Sequence, residues 1–369
     1  MKDLELKRAL LSCPGDTIQE HLDAIGMSQK ELAERMGRSV PKVNEIIKGK
    51  TPITKDTASR LEYVLHVPAG FWLNLERHYQ EELLEIERME ELEKTENWIS
   101  GFPLPDLKKL GIIPNTRNKI SISESLLKFF RVASPGEWSS IYKDSSLVFK
   151  IELKHTIHAK AVSVWLRYGE IQAEKMKVAP FDKGKLRTHL EDFQDISYRN
   201  AYHWLDELQD LCTTCGIALV YTPGIAKAPI YGATRWIKNK SLPLIQITDR
   251  RKDYHAFWFT FYHELAHIIY HGKKDIFIEG LDSIKNDEQK EAEADEFAAK
   301  QLLSPRQRKE VFQHQNWDSK IVLELSEKLK KHPGIIVGQI QRKDQSLYKD
   351  PQLNKLKAKV DFNRESVLL

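Results

Sequence analysis

Long apolar runs are missing from this sequence: none of its 369 residues lies in a stretch near the roughly 18–20 apolar residues that span a bilayer. The opening MKDLELKRALLSC carries acids and no apolar core, so it is not read as a secretory signal. Cysteine is scarce. Cys13, Cys212 and Cys215 cannot build a disulfide framework, which points to a reducing, cytoplasmic setting with no membrane partner. Cys212 and Cys215 form a CxxC without the second pair of a zinc ribbon, so they read as core thiols. A dominant charge sign is also lacking. The 57 Lys and Arg stand against 53 Asp and Glu, a formal +4, which excludes a histone-like or strongly acidic protein. No GxxxxGK[ST] string supports an ATPase, and no internal repeat or long low-complexity tract occurs.

What is present divides into parts. A length prior of about 150 residues per domain gives two or three units. Residues 1–76 are compact and helix-patterned and read as one domain. Residues 76–96 hold nine Glu against Arg77, Arg88 and Lys94, with Tyr79, Leu83, Ile86 and Met89 three or four apart. That pattern predicts an amphipathic, acidic connecting helix over 77–96. The Pro- and Gly-rich stretch 97–115 opens a helical middle region, 97–210. Beyond Gly216, IALVY (217–221) and LPLIQIT (242–248) read as short strands, followed by aromatic-rich helices in a domain over 211–345. A basic tail, 346–369, closes the chain. Over 326–359, nine Lys and Arg face three acids, which reads by default as a solvated segment. The fold class is mainly α with a small sheet, α+β.

From Gly26 the chain runs GMSQKELAERMGRSVPKVNEIIKGK. Ser28 is set to cap one helix, with Glu31 completing a capping box. Leu32, Ala33 and Met36 form its apolar stripe, and Gly37 ends it. Ser39 is set to cap a second helix with Pro41 in its first turn and Val43, Ile46 and Ile47 facing inward. Two short helices joined by a glycine turn are a helix-turn-helix, whose second helix enters the major groove. Ser39, Lys42 and Asn44 point outward from it. Seven Lys and Arg between 35 and 60 oppose only Glu45 and Asp56, a local +5 suited to phosphate contacts. With CPGDTIQEHLDAIGMSQKELAERMG, GKTPITKDTASRLEYVL and PAGFWLNLERHY, the N-terminal part resembles the HigA-type antitoxins of the Xre-like helix-turn-helix superfamily. The resemblance implies a homodimeric repressor on palindromic operator DNA, with Gln29, Ser39, Lys42 and Thr54 near the DNA.

The sharpest motif is FWFTFYHELAHIIYHG (257–272). On a helix, His263 and His267 project from one face at metal-ligand separation, and Glu264 points beside the metal. Flanking aromatic and aliphatic residues make this helix apolar all round, hence buried. Zinc needs a third protein ligand and leaves one position open. NDEQKEAEADEFAAKQLLSP (286–305) reads as a helix capped by Asn286 or Asp287, with Ala294, Phe297, Ala298 and Leu302 on its buried face. Glu291 shares that face and is the chosen third ligand. Glu293 lies to one side, and Glu288 and Glu296 are solvated. Asp295 suits an acceptor for a ligand imidazole N–H. His271 is either a partner of a ligand or packed, with packing the plainer reading. Zn2+ here acidifies a water whose proton Glu264 takes and passes to the leaving amine. A sheet edge from the two strands is suited to hold an extended peptide. Tyr231, Arg235, Tyr262 and His332 are candidate oxyanion donors.

GATRWI (232–237), the HELAHIIYHGKK run and EAEADEFAAKQLLSP resemble the ImmA/IrrE metallopeptidase family. ASPGEW, PFDKGKLR, HPGIIVGQIQ and LNKLK match versions of that domain fused to HigA-like readers. The resemblance implies that His263, Glu264, His267 and Glu291 are the working positions and that a repressor or antitoxin is cleaved. Ala266 and Asp295 stand where Gly and Asn are frequent in relatives, changes that conserve size or hydrogen bonding. The functional expectation is a DNA-binding regulator with a zinc endopeptidase acting on a regulatory protein or on itself. The alternative is a HigA-like antitoxin and autorepressor that binds a cognate toxin and whose zinc site is structural or vestigial.

Overall fold

The computed structural model describes residues 2–143, 156–199, 203–250, 252–273, 276–279, 288–314, 317–360 and 362. The chain divides into two compact units, Met1–Ser100 with Thr116–Glu124, and Gly101–Asn115 with Ser125–Leu369. As the pattern predicts, helices dominate and the strands form a single small sheet.

The first unit contains α1 (Lys2–Leu10), α2 (Pro14–Ile25), α3 (Gln29–Met36), α4 (Val40–Ile47), α5 (Lys55–Leu65) and α6 (Ala69–Glu93). Ile18, Leu22, Leu32, Val43, Leu61 and Trp72 anchor one apolar core. Gly37 takes a left-handed φ of 63°, which lets the chain turn sharply between α3 and α4. The acidic segment is no separate element, because α6 begins before it at Ala69 and runs unbroken to Glu93. Its Ile86 is buried where α1 lies alongside, and Arg8 of α1 pairs with Glu90 at 2.7 Å.

In the second unit four strands lie in the order β1-β3-β2-β4: β1 Ala218–Thr222, β2 Gly232–Ile237, β3 Leu242–Thr248 and β4 Phe277–Glu279. β1 runs parallel to β3, while β2 is antiparallel to both β3 and β4. The two strands read from sequence are β1 and β3; β2 and β4 are additions. Helix α7 (Thr156–Glu174) covers one face of the sheet, and α10 (Tyr254–Tyr270) covers the other. Between them in sequence come α8 (Leu190–Arg199) and α9 (Trp204–Thr214). Every residue of β3 is buried, as expected of a strand roofed on both sides. On the α7 face, Gln246 donates to the Trp165 carbonyl at 2.7 Å and accepts from Arg235 at 3.0 Å. Cys212 and Cys215 are buried, and burial pushes both thiols up.

After α10 come α11 (Glu288–Leu302), α12 (Ser319–Leu329) and α13 (Pro333–Lys343). The cap expected at Asn286 or Asp287 lies outside the described residues. Pro305 opens the next short helix, which Ser304 caps with Gln307 in a reciprocal box. Over its described residues the basic tail is not a free segment. Lys359 pairs with Asp253 in an antiparallel main-chain β-bridge, the Val360 N–H donates to the Lys252 carbonyl, and Phe362 stacks on Tyr221. Apolar anchoring of Val360 and Phe362 overrides the charge that suggested a free tail. Among the described residues no helix is long and apolar enough to cross a membrane.

Candidate functional site

Helix α10 buries fourteen residues, His263, Glu264 and His267 among them. Asp253 caps it by accepting from the Ala256 N–H at 3.1 Å. The i, i+4 spacing sets the two imidazoles on one face, and α11 packs against that face with Ala294, Phe297, Ala298 and Leu302 inward. The donor atoms of His263, His267 and Glu291 all lie within 4.8 Å of one another. The Nε2 atoms of His263 and His267 are 3.1 Å apart, and the Glu291 carboxylate sits 3.0 Å from His263 Nε2 and 3.8 Å from His267 Nε2. Donors held about 2.0–2.1 Å from one tetrahedral ion stand about 3.3 Å apart, so the three distances fit a metal.

Each outer ring nitrogen is also held. His263 Nδ1 lies 2.9 Å from Asp295 Oδ1. His267 Nδ1 lies 2.8 Å from His271 Nδ1, and His271 Nε2 lies 3.3 Å from Glu293. Such contacts fix the ring whose inner nitrogen faces a metal. His271 is therefore engaged with His267, not simply packed, and Glu293, set aside in the sequence, is its acceptor. With no metal, burial works to lower the His263 pKa, but hydrogen bonds to Asp295 and Glu291 prevail and lift it to about 10. Burial and then the neighbouring His263 push His267 down to about 2. The opposite shifts agree with the spacing, since two imidazolium ions 3.1 Å apart would repel.

Glu264 is fully buried, and neither carboxyl oxygen has a hydrogen-bond partner among the described residues. Burial raises its pKa to about 8 against the opposing pull of His263. Strand β2 makes its place. Alternation along a strand puts Gly232 and Thr234 on the α10 side, where Thr234 Oγ1 donates to the Glu264 carbonyl at 3.0 Å. A Cβ on Gly232 would lie 2.7 Å from Glu264 Oε1. Sequence reasoning missed this role, although Gly at the head of an otherwise β-prone GATRWI was a readable signal.

The same alternation overturns one oxyanion candidate: Arg235 points to the α7 face and donates to the Leu166 carbonyl. His332 is spent as an acceptor from the Gly334 N–H, and Tyr262 is buried in the core beside Trp258 and Phe261. Tyr231 pairs through its main chain with Glu279 and Thr248. A cleft of about 690 Å³ opens beside the donors, walled by Phe259, Glu279, Arg342, Tyr348 and Lys357. Of these, none was singled out in the sequence for the site.

In the reader unit, Ser28 Oγ accepts from the Glu31 N–H at 3.1 Å, but Glu31 binds Arg35, so the capping box is half formed. Ser39 stands at the start of α4 without a capping bond and is exposed, as is Lys42; Asn44 is half-buried. Gln29 donates to Gln19, and Thr54 accepts from the Thr57 N–H as the cap of α5. The basic patch is smaller than its count. Arg35 pairs with Glu31, and Arg38 and Arg60 both pair with Asp56. Among the described residues, Lys42, Lys48, Lys50 and Lys55 are the exposed cations of the stretch without an ion pair.

Comparison with known proteins follows this division. The family described as the IrrE N-terminal-like domain, Peptidase_M78, matches residues 216–343, and a helix-turn-helix family matches residues 18–72. The helix-turn-helix-type transcriptional regulator YddM of Escherichia coli (strain K12) is 30% identical over 83 residues, covering 21% of this chain and 88% of that protein. Virulence-associated protein I of Dichelobacter nodosus is 33% identical over 76 residues, covering 20% of this chain and 70% of that protein. A solved addiction module antidote protein of the HigA family from Coxiella burnetii has 30% identity, covering 23% of this chain and 92% of that chain, with a TM-score of 0.21. The chain belongs to the Xre-type helix-turn-helix regulators and carries an IrrE-like Peptidase_M78 domain C-terminal to its reader.

Proposed function

We propose that this chain is an operator-binding regulator whose second unit is a zinc-dependent endopeptidase, cleaving a regulatory protein or the chain itself. One observation carries the reading: a fully buried Glu264 carboxyl with no hydrogen-bond partner among the described residues, beside three converging candidate metal donors. A buried, unpartnered carboxyl costs stability and is retained where it has chemistry to do. A purely structural metal would leave it idle. A structural site also favours a fourth protein ligand, and His271, the nearest spare imidazole, is turned to His267 Nδ1 and Glu293 instead.

His263, His267 and Glu291 would hold the ion, two nitrogens and one carboxylate being a donor set suited to zinc. Zinc held there would supply Lewis acidity toward a water and a peptide carbonyl. Asp295 and His271 keep the two ligand rings oriented. Glu264 takes the proton from the attacking water and delivers it to the departing amine, and Thr234 and Gly232 fix where that carboxyl stands. Ser39, Lys42 and Asn44 on α4 meet operator DNA, with Lys48, Lys50 and Lys55 supplying phosphate contacts. Gln29 and Thr54 act at the edge of that face, and a homodimer reads a palindrome.

The test is metal analysis joined to proteolysis. Purified chain should carry about one zinc, His263→Ala should lose it, and Glu264→Gln should keep it while abolishing cleavage of co-expressed regulator partners. Zinc-free protein with an intact fold sinks the reading, and so does cleavage that persists in Glu264→Gln.

A further inference from the structure

The charges that line the cleft beside His263 are nearly all committed. Asp253 holds the Lys357 Nζ at 2.7 Å, and Glu279 accepts from Thr260 Oγ1 at 2.8 Å. Glu291 and Asp295 face the two nitrogens of His263, and His255 is joined to Gln339 at 3.0 Å. Arg342 is the exception: it lines the same cleft, is exposed, and forms no ion pair among the described residues. It lies in the last turn of α13. One turn earlier Gly338 lets that helix close on His255, for a Cβ there would meet the ring at 2.2 Å. The guanidinium lies over the Phe259 ring, 4.9 Å from its centroid, and Phe259 in turn stacks 6.3 Å from the His263 ring. A stacked guanidinium keeps its donor fork free for a planar acceptor.

We propose that Arg342 is the carboxylate-binding, specificity-determining residue of this cleft, so that the peptide taken there carries a negative charge within about three extended residues of the bond to be cut. The inference rests on the peptidase reading and adds the substrate class to it. A guanidinium fork matches a carboxylate in two parallel hydrogen bonds, and among the described residues no acid of the chain itself pairs with it. That carboxylate is an acidic side chain or the end of a chain, and the two differ in consequence: the first suits internal cleavage, the second trimming from the C-terminus.

Four hydroxamate-headed dipeptides bound to the zinc-loaded full chain separate these cases. One pair is amidated and differs in carrying Asp or Asn; the other has neutral side chains and ends in a free carboxylate or an amide. The carboxylate member of one pair should bind about threefold to tenfold more tightly than its amide twin, a range set by an exposed but bidentate ion pair. Which pair shows the preference identifies the source. Arg342→Gln should erase it at unchanged zinc content. Equal binding within both pairs, or a preference that survives in Arg342→Gln, overturns the proposal while the zinc reading stands. If none of the four binds, the peptidase reading falls and takes this inference with it.

Discussion

Gly232→Ala is a one-methyl perturbation aimed at Glu264 from the opposite side of the site. The new Cβ would lie 2.7 Å from Glu264 Oε1, 2.7 Å from Thr260 Cγ2 and 3.1 Å from Glu264 Cγ, where ordinary contacts begin at 3.4 Å. The carboxyl must therefore retreat by about 0.7 Å or more, the shortfall in that contact, and it has no exposed direction to take. Gly232 lies in a strand without a left-handed φ, so alanine suits the backbone and the effect is steric. Overpacking of this size costs about 1–3 kcal/mol. Displacing a reacting group by about an ångström costs on the order of a hundredfold in rate. The donors on α10 and α11 are not touched, so zinc content should stay near one per chain. Calorimetric unfolding of Gly232→Ala, Glu264→Ala and the double variant isolates the clash. With the carboxyl gone, only the Thr260 contact opposes the methyl, and a coupling of about 1 kcal/mol or more should appear. Wild-type stability and wild-type turnover in Gly232→Ala would refute the claim that this glycine makes room for the base.

Lys331 is 3% exposed, its Nζ donating to Gln194 and to the Gln301 carbonyl, and burial lowers its pKa to about 8. Between pH 8 and the unfolded value near 10.5 the folded chain binds fewer protons than the unfolded one, so stability should rise with pH across that window. Below it the buried ammonium costs up to about 3 kcal/mol. Lys331→Met should flatten the rise in denaturant midpoints from pH 7 to 10.5; an identical slope contradicts the assignment. In the reader, Lys42→Ala should weaken DNA binding and reduce the magnitude of the salt slope by about one. Arg38→Ala should change it less, because Asp56 already engages that guanidinium, and the reverse order in salt titrations would discredit the charge assignment. Asp295→Ala should lower zinc affinity by about tenfold to a hundredfold in chelator competition. Unaltered affinity would mean that the His263–Asp295 contact does not orient the ring.

Local periodicity made the helices and the outline of the metal donors legible, because an i, i+4 histidine pair and the inward face of 288–302 are properties of single helices. What stayed hidden depended on pairing across the chain. Seven cations counted between 35 and 60 imply a broad patch, yet Arg38 and Arg60 fold back on Asp56, and Arg38 reaches it across eighteen residues. Nine bases against three acids over 326–359 imply solvation, yet Ile336, Val337, Ile340 and Leu353 join an apolar core, and just beyond them Val360 and Phe362 pack into another. Arg235 fails as a transition-state donor for a reason internal to its own segment. Once 232–237 is a strand, the period of two that turns Gly232 and Thr234 toward Glu264 must turn Arg235 away. The space beside Glu264 depends on the residue at the head of that strand, and glycine is the one residue type that leaves it open by absence of a side chain. The site is thus set as much by where β2 places no atoms as by where α10 places its histidines.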